Sequence, residues 1–255
     1  MKKLYFGSNL KMYKGINDTK SYLSELVSLT KDIESVQLFI IPSYLSLETA
    51  CSVSEHIMIG AQNVAWENEG QFTGDISCRM LEEVGVKFVM VGHSERRNIF
   101  KETDCEENKK VLNALKNDFK VLLCIGETKD EKDLGLTRNI LEKQLLSGLY
   151  GVTNEHLDRL IVAYEPVWSI GVSGIPATPE YVEKTHDSIR AILVEMYDQS
   201  GEDITILYGG SVNPYNCEKL IVKNNVDGLF VGRAAWEADK FDHLIRNSIN
   251  ARKER

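Results

Sequence analysis

The sequence lacks the features that mark secreted, membrane and disulfide-rich proteins. Its five cysteines, in 255 residues, are scattered, odd in number and form no CxxC pair. Neither a disulfide framework nor a zinc site is therefore expected. No apolar run approaches the ~20 residues that a membrane helix needs, and the apolar stretch near the N-terminus is too short for a secretory signal. We expect a protein that stays in the cytoplasm and does not enter a membrane.

The chain also has no excess of positive charge, since its 38 Asp and Glu outnumber its 30 Lys and Arg. The formal net charge is −8 at pH 7, and no run of Lys and Arg longer than a pair occurs before the C-terminal tail. Nucleic acids and anionic membranes are therefore poor partners for this chain. An anionic substrate is compatible with this balance only if its site is locally positive.

What the sequence does contain is a series of short apolar or β-branched segments, most without polar alternation. Such segments are typical of strands in a parallel sheet that is covered on both faces. The predicted strands are Leu4–Ser8, Val36–Ile41, Ile57–Ala61, Phe88–Val91, Val121–Ile125, Leu160–Tyr164, Ile204–Tyr208 and Gly228–Val231. Helical periodicity between them predicts helices that include Asp18–Ile33, Asp104–Leu115, Pro179–Tyr197 and the tail from Trp236, with Ser77 and Thr178 as N-caps.

Alternation of strand and helix predicts an α/β fold with a parallel sheet. No linker rich in Pro, Gly or Ser interrupts the series, so residues 1–255 are predicted to form a single catalytic domain. Eight units in about 250 residues favour a closed (β/α)8 TIM barrel over an open doubly wound sheet. A dinucleotide-binding sheet would carry G-x-G-x-x-G after its first strand, and residues 7–11 (GSNLK) do not supply it.

Unusual residues gather where the predicted strands end, which is where barrels of this class carry their catalytic groups. The segments that follow strands one, four, six and seven are Asn9-Leu10-Lys11, Gly92-His93-Ser94-Glu95-Arg96-Arg97, Ala163-Tyr164-Glu165-Pro166-Val167-Trp168 and Tyr208-Gly209-Gly210-Ser211-Val212. In order and spacing they resemble the signature segments of the triosephosphate isomerase family. The resemblance extends over essentially the whole chain.

The resemblance implies an aldose–ketose isomerase that needs no cofactor or metal and moves a proton between adjacent carbons through an enediolate. Glu165 fits the base, which works best near neutrality in a dry pocket. His93 lies at the start of a helix that Ser94 is predicted to cap, and a helix N-terminus disfavours the imidazolium. The pairing of a glutamate with a neutral histidine is the well-known arrangement of triosephosphate isomerase, from which this assignment is taken. The simpler alternative for Glu165 is a glutamate that forms an ion pair with a nearby arginine. The simpler alternative for His93 is a structural histidine.

Other catalytic residues follow from the same chemistry and resemblance. Lys11 would supply positive charge for the phosphate and for the charge that develops in the reaction, unless it is an ordinary surface lysine. Asn9 would hydrogen-bond a substrate oxygen or cap the turn. By resemblance, Glu95 would position Lys11 and His93, and Cys124 would lie close to the site, where a packing role is the simpler interpretation. Arg96 and Arg97 are expected to form structural ion pairs near a dimer interface.

The resemblance also implies a phosphate site built from main-chain N–H groups at Gly171, Ser211, Gly232 and Arg233. It implies a closing lid over residues 169–176, with lid residues Pro166, Trp168, Ile170 and Pro176, and hydrogen bonds from Tyr208 and Ser211 to the closed lid. Residues 63–77, with Thr73 near the tip, resemble the loop that reaches into a partner subunit, so a homodimer is expected. Glycolysis and gluconeogenesis are the expected pathways.

Two departures from the family pattern lie at the phosphate end. The lid (Ser169–Thr178, SIGVSGIPAT) is one residue longer than usual, lacks the usual lysine and carries Pro176. Arg233 stands where the family usually has a glycine. Three interpretations therefore stay open. The substrate is the triose phosphate, which the catalytic set favours, or a four-carbon erythrulose phosphate, or the barrel only binds a phosphometabolite. A metal-dependent hydrolase would need several His and Asp at the strand ends.

Overall fold

Strands and helices alternate along the chain, as the sequence predicts. The computed structural model describes residues 2–171 and 174–254. The strands are β1 (Leu4–Asn9), β2 (Val36–Ile41), β3 (Met58–Ile59), β4 (Phe88–Val91), β5 (Lys120–Ile125), β6 (Leu160–Tyr164), β7 (Thr205–Tyr208) and β8 (Gly228–Val231). The α-helices in the described parts are α1 (Ile16–Thr30), α2 (Leu47–Val53), α3 (Cys78–Glu83), α4 (Ser94–Asn98), α5 (Asp104–Lys116), α6 (Lys129–Asp133), α7 (Thr137–Gly148), α8 (Pro179–Tyr197), α9 (Cys217–Ile221) and α10 (Ala238–Lys253).

The strands form one parallel sheet that closes on itself. Its order is β3-β2-β1-β8-β7-β6-β5-β4, and a parallel bridge between Ala61 and Val89 joins the two edges. The N–H of Ala61 donates to the carbonyl of Phe88, and that of Met90 donates to Ala61, both at 2.9 Å. The predicted TIM barrel is confirmed.

The third strand is the element that differs most from the prediction. Regular pairing covers only Met58–Ile59, because the chain then leaves β2 to reach β4. Gly60 still donates to Ile40 at 2.9 Å, and a side chain at Gly60 would collide with the ring of Phe88, 2.5 Å from its Cβ position. The change of partner within three residues shortens the ladder.

Two of the predicted helix caps, Ser77 and Thr178, are found in the structure. The hydroxyl of Ser77 accepts from the N–H of Met80, and that of Thr178 accepts from Tyr181, with Pro179 at the first helical position. The first helix begins two residues earlier than predicted because Gly15 takes the N-cap position. A Gly15 carbonyl that accepts from Thr19 at 2.9 Å completes that first turn.

The barrel interior is filled by side chains, so it is a packed core and not a channel. The ring of Phe39 packs edge-on against Phe88 and stacks on Phe230, with centroids 5.2 and 5.6 Å away. Gly7 leaves the space for Phe39, since a side chain there would overlap the ring. The interior side chains are Phe39, Ile41, Phe88, Met90, Leu122, Cys124, Ile161, Ala163, Leu207 and Phe230.

A second apolar layer lies between the sheet and the surrounding helices. On α1, Leu23 and Leu26 are fully buried, as are Ile189 and Leu193 on α8. Within residues 2–171 and 174–254, no helix is long and apolar enough to cross a membrane.

The loops at the carboxyl ends of the strands surround one opening of the packed barrel, and these loops hold the candidate site.

Candidate active site

A cavity of about 610 Å³ opens at the carboxyl ends of the strands. Its described walls come from the loops after β1, β4, β6, β7 and β8. Of the residues assigned from the sequence, it brings together Asn9, Lys11, His93, Glu95, Glu165, Ile170, Gly171, Ser211, Gly232 and Arg233. Cys124, Pro166, Trp168, Pro176 and Tyr208 lie outside this lining.

Glu165 is held directly behind β6, with its main chain tied to the neighbouring strand ends. Its N–H donates to Ile125 at 2.7 Å, and its side chain is only 4% exposed. One carboxylate oxygen, Oε1, lies 3.7 Å from Nε2 of His93. The other, Oε2, has no hydrogen-bond partner within the described structure. The carboxylate is therefore buried beside His93, with one oxygen unpartnered in the described part of the chain.

His93 is itself the N-cap of α4, and the prediction that Ser94 caps this helix is wrong. The imidazole Nδ1 accepts from the N–H of Glu95 at 3.2 Å. His93 directly precedes the first residue of the helix, and from this position its Nδ1 reaches an N–H of the first turn. Since a backbone N–H can only donate, Nδ1 carries no proton, and the proton of the neutral ring sits on Nε2. Nε2 is the atom that faces Glu165 and the cavity.

Lys11 enters the cavity from a strained turn after β1. Its φ of 52° lies in the left-handed region, and Asn9 Oδ1 accepts the Lys11 N–H at 2.8 Å. The amide of Gln62 donates to the Lys11 carbonyl at 2.7 Å and to Asn9 Oδ1 at 3.2 Å. The ammonium of Lys11 donates to Glu95 Oε1 at 2.6 Å. Glu95 thus contacts both Lys11 and His93, where the sequence analysis expected it.

Gln62 is absent from the residues assigned by sequence. It directly follows the third predicted strand, so its position at a strand end was the available signal. Because it stabilises a left-handed turn through two bonds, it fixes where the Lys11 side chain begins.

Cys124 lies inside the barrel beneath Glu165. Burial, together with the adjacent Glu165 carboxylate, raises the pKa of the Cys124 thiol well above its usual value. The group therefore stays a neutral thiol that packs and donates toward the carboxylate. This agrees with the simpler of its two interpretations.

The loop after β7 is shaped by its two glycines. A side chain at Gly209 would lie 2.8 Å from Cγ of Glu165, and one at Gly210 would overlap the hydroxyl of Tyr208. The next N–H, that of Ser211, donates to the Ser169 hydroxyl at 3.1 Å. Around Gly232 no atom lies within 4 Å of a built Cβ, so the main chain there is open to a ligand.

Arg233 reaches from the loop after β8 to the lid. Its Nη2 donates to the carbonyl of Gly171 at 3.0 Å. The sequence analysis assigned only the main chain of this residue, because the direction of its side chain depends on the folded lid. Among the described lining residues, Lys11 and Arg233 face two carboxylates, Glu95 and Glu165. The expected local excess of positive charge is therefore not found.

The first half of the lid is anchored by a buried carboxylate that the sequence analysis did not assign. Glu127 accepts from Tyr164 at 3.0 Å, from the Trp168 indole at 2.9 Å and from Tyr181 at 2.9 Å. Its position at the end of β5 was the only sequence signal. Trp168 thus packs toward Glu127 and the ammonium of Lys132, 3.9 Å from its ring centroid, and contributes no wall of the cavity around Glu165.

Ser169, the first residue of the lid, contacts the loop after β7. The Ser169 hydroxyl lies 3.4 Å from that of Tyr208, and burial raises the pKa of Tyr208 to about 12, so its hydroxyl keeps its proton. The carbonyl of Pro166 accepts from Ser169 at 2.8 Å, and Pro176 is exposed. Two residues assigned to the lid, Val172 and Ser173, lie outside the described residues.

Residues 63–77 form a loop after β3 that is exposed over residues 67–75, and they belong to no wall of the cavity. Ala65 donates to Ile76 at 2.8 Å, which closes its base, and Thr73 is exposed near its tip. The expected ion pairs of the two arginines are confirmed, since Arg96 pairs with Glu102 and Arg97 with Asp104 and Glu107.

No group of three or more His, Cys, Asp or Glu side chains suited to a metal occurs in the part of the chain that the structure describes. The site lies at the strand ends of a closed α/β barrel. These strand ends bring a buried carboxylate, a histidine Nε2 and a lysine into one cavity. This defines the class as TIM-barrel enzymes of the acid–base type, in which loops carry the chemistry.

Comparison with known proteins places the chain within that class. The family model for triosephosphate isomerase matches residues 4–248. The triosephosphate isomerase of Fusobacterium nucleatum is 40% identical over 249 residues, 96% of this chain and 99% of the relative. That of Geotalea uraniireducens is 38% identical over 251 residues, 97% of this chain and 100% of the relative.

A solved structure agrees. The crystal structure of triosephosphate isomerase from Bartonella henselae superposes with a TM-score of 0.87 at 30% identity, covering 96% of this chain and 99% of that one. This chain belongs to the triosephosphate isomerase family.

Proposed function

We propose that this protein interconverts glyceraldehyde 3-phosphate and dihydroxyacetone phosphate as one catalytic domain spanning residues 1–255. The observation that carries the proposal is the 3.7 Å approach of Glu165 Oε1 to His93 Nε2, between two buried side chains that line the cavity. Family membership supports it, since the listed relatives are named triosephosphate isomerase. None of these names supports an erythrulose phosphate over the triose phosphate.

In this reaction Glu165 removes the proton from one carbon and returns it to the next. Its side chain is buried and its Oε2 has no hydrogen-bond partner within the described structure, which leaves that oxygen free to receive the proton. The Nε2–H of His93 donates to the substrate oxygen on which the enediolate charge develops. Because Nδ1 is occupied by the helix, the ring presents this one proton only.

Lys11 and Asn9 hold the oxygens near the transferred proton. The Lys11 ammonium donates to Glu95 at 2.6 Å, and it turns its charge toward the anionic substrate when one binds. The phosphate is bound by main-chain N–H groups of Gly171, Ser211 and Gly232. Since Ser211 now donates to Ser169, phosphate binding at Ser211 requires the Ser169 hydroxyl to give up this bond.

Lid closure over residues 169–176 excludes water and protects the enediolate. The lid pivots about two fixed ends. One is Trp168, bound to Glu127, and the other is the helix start at Thr178, capped by its own side chain.

We also propose a homodimer formed through residues 63–77. The neighbouring loops after β1, β2 and β4 carry large apolar side chains that water covers in the single chain. Met12 is 96% exposed, Leu45 85% and Ile99 67%. A group of this kind on adjacent loops is typical of a protein–protein contact. The protein would act in the cytoplasm, in glycolysis and gluconeogenesis.

The test is a coupled assay with each triose phosphate, run beside D- and L-erythrulose phosphates. We expect kcat/KM above ~10⁴ M⁻¹s⁻¹ for the triose phosphates. Glu165→Gln keeps the shape of the side chain and removes the base. It should lower kcat by about 10²- to 10⁴-fold, while inorganic phosphate still binds. Glu131→Gln, on α6 outside the cavity, is the matched control. Preferred turnover of an erythrulose phosphate, or no turnover by the parent protein, would refute the proposal.

A further inference from the structure

The phosphate end of the cavity contains a side-chain contact that main-chain phosphate binding does not require. Arg233 extends from the loop after β8, and its Nη2 donates to the carbonyl oxygen of Gly171 at 3.0 Å. The N–H of Gly174 approaches the same oxygen at 3.4 Å. The guanidinium therefore contacts the lid residue Gly171, and it belongs to the same cavity wall as Gly232.

The guanidinium of Arg233 forms no ion pair within the described structure, although the cavity wall as a whole holds two cations and two carboxylates. Lys11, the other Lys or Arg of the described cavity wall, lies 2.6 Å from a carboxylate oxygen of Glu95. No carboxylate of residues 2–171 or 174–254 forms an ion pair with Arg233. Its side-chain hydrogen bond goes to the neutral carbonyl of Gly171. A guanidinium carries five N–H donors, so this single bond leaves donors available.

A phosphoryl group is the ligand that best matches those donors. Arginine binds phosphate oxygens through two parallel N–H bonds, and such charge-assisted bonds are about twice as strong as neutral ones. One of the expected main-chain donors, Ser211, is already bonded to Ser169. The exposed side chain of Arg233 has unused donors and can bind the phosphate without that rearrangement.

We propose that the guanidinium of Arg233 is a direct ligand of the substrate's phosphoryl group, held ready by the Gly171 carbonyl and transferred from it to the phosphate when the substrate binds. This rests on the proposed function, which supplies the phosphorylated substrate. It makes Arg233 a specificity residue, because a substrate without the dianion leaves the guanidinium on the lid.

The experiment measures inorganic phosphate binding by calorimetry and isomerase kinetics in parallel. Arg233→Met, which keeps the length and removes the charge, should weaken phosphate binding by about ten- to a hundredfold. KM for the triose phosphate should rise by a similar factor, with a much smaller change in kcat. Arg233→Lys should recover part of the affinity, because it restores the charge without the two-pronged geometry.

Arg138→Met is the matched control. This arginine is exposed and pairs with Glu195 on the barrel exterior, so its removal should change neither readout. The affinity of the parent for phosphate should also fall as salt rises, and less steeply in Arg233→Met.

Two results would overturn the assignment. In one, Arg233→Met binds phosphate as tightly as the parent. In the other, kcat falls while phosphate affinity is unchanged, which would restrict Arg233 to holding the lid. A parent protein without isomerase activity would refute the proposed function alone, because calorimetry still reports whether Arg233 binds phosphate.

Discussion

A single methyl group added beneath the base tests whether the position of Glu165 matters. A Cβ at Gly209 would lie 2.8 Å from Cγ of Glu165 and 3.3 Å from both its Oε1 and Cδ1 of Phe230. The backbone at Gly209 is outside the left-handed region, so Gly209→Ala introduces the collision without backbone strain. The loop cannot easily retreat, because the Gly209 N–H is bonded to the Tyr164 carbonyl at 2.8 Å.

The carboxylate must therefore move by roughly 0.6 Å to regain ordinary contact at 3.4 Å. A 1 Å misplacement of a reacting group can lower the rate by about 10²-fold, so kcat of Gly209→Ala should fall by about ten- to a hundredfold. That corresponds to about 1.4 to 2.7 kcal/mol of activation free energy. Binding of inorganic phosphate should change far less, since the collision is with the base.

Steady-state kinetics and thermal denaturation of Gly209→Ala separate displacement of the base from loss of folding. Gly15→Ala is the control, because a Cβ there meets no atom within 4 Å. A folded Gly209→Ala variant with kcat within about threefold of the parent would refute the argument, since the base would then tolerate the displacement.

Two further predictions concern stability and assembly. His186 is fully buried, its Nδ1 bonds the Asn225 carbonyl at 2.8 Å, and burial lowers its pKa from 6.5 to about 4. Between these values the unfolded chain binds the proton and the folded chain does not, so the unfolding free energy should drop by about 3 kcal/mol as pH falls through this window. Urea titrations from pH 7 to 4 measure the drop, and His186→Gln should reduce it; an unchanged slope would contradict the assignment. For the dimer, Leu45→Asp should shift the sedimenting species to the monomer. The same change at Leu134, an exposed leucine after β5, should not. A monomeric parent protein would exclude the interface.

The barrel could be predicted because its determinants are local. Strands buried on both faces appear as continuous apolar runs, and the segments Val36–Ile41, Phe88–Val91, Leu160–Tyr164 and Gly228–Val231 match the structure residue for residue. The third strand was predicted too long, because its exchange of partner at Gly60 depends on where β4 lies. Tertiary pairing of this kind leaves no mark in a single segment.

The same limit applies to the site. Its charged members could be predicted from their positions at strand ends, which the fold turns into one cavity. The contacts of Glu127 and Gln62 join residues far apart in sequence, so each looked like an ordinary polar residue. Whether His93 or Ser94 caps the helix depends on one rotamer, and the contact of Arg233 with Gly171 depends on the folded lid.

The left-handed turn at Lys11 has a consequence for engineering this chain. A residue with a side chain costs about 1–2 kcal/mol at such a position, where glycine costs little. A redesign scored on backbone conformation would therefore rank glycine above lysine there, and the more thermostable product would have lost its cation. Under the proposed function, heat resistance and turnover compete at this backbone torsion, and a screen for thermostable variants should leave this position fixed.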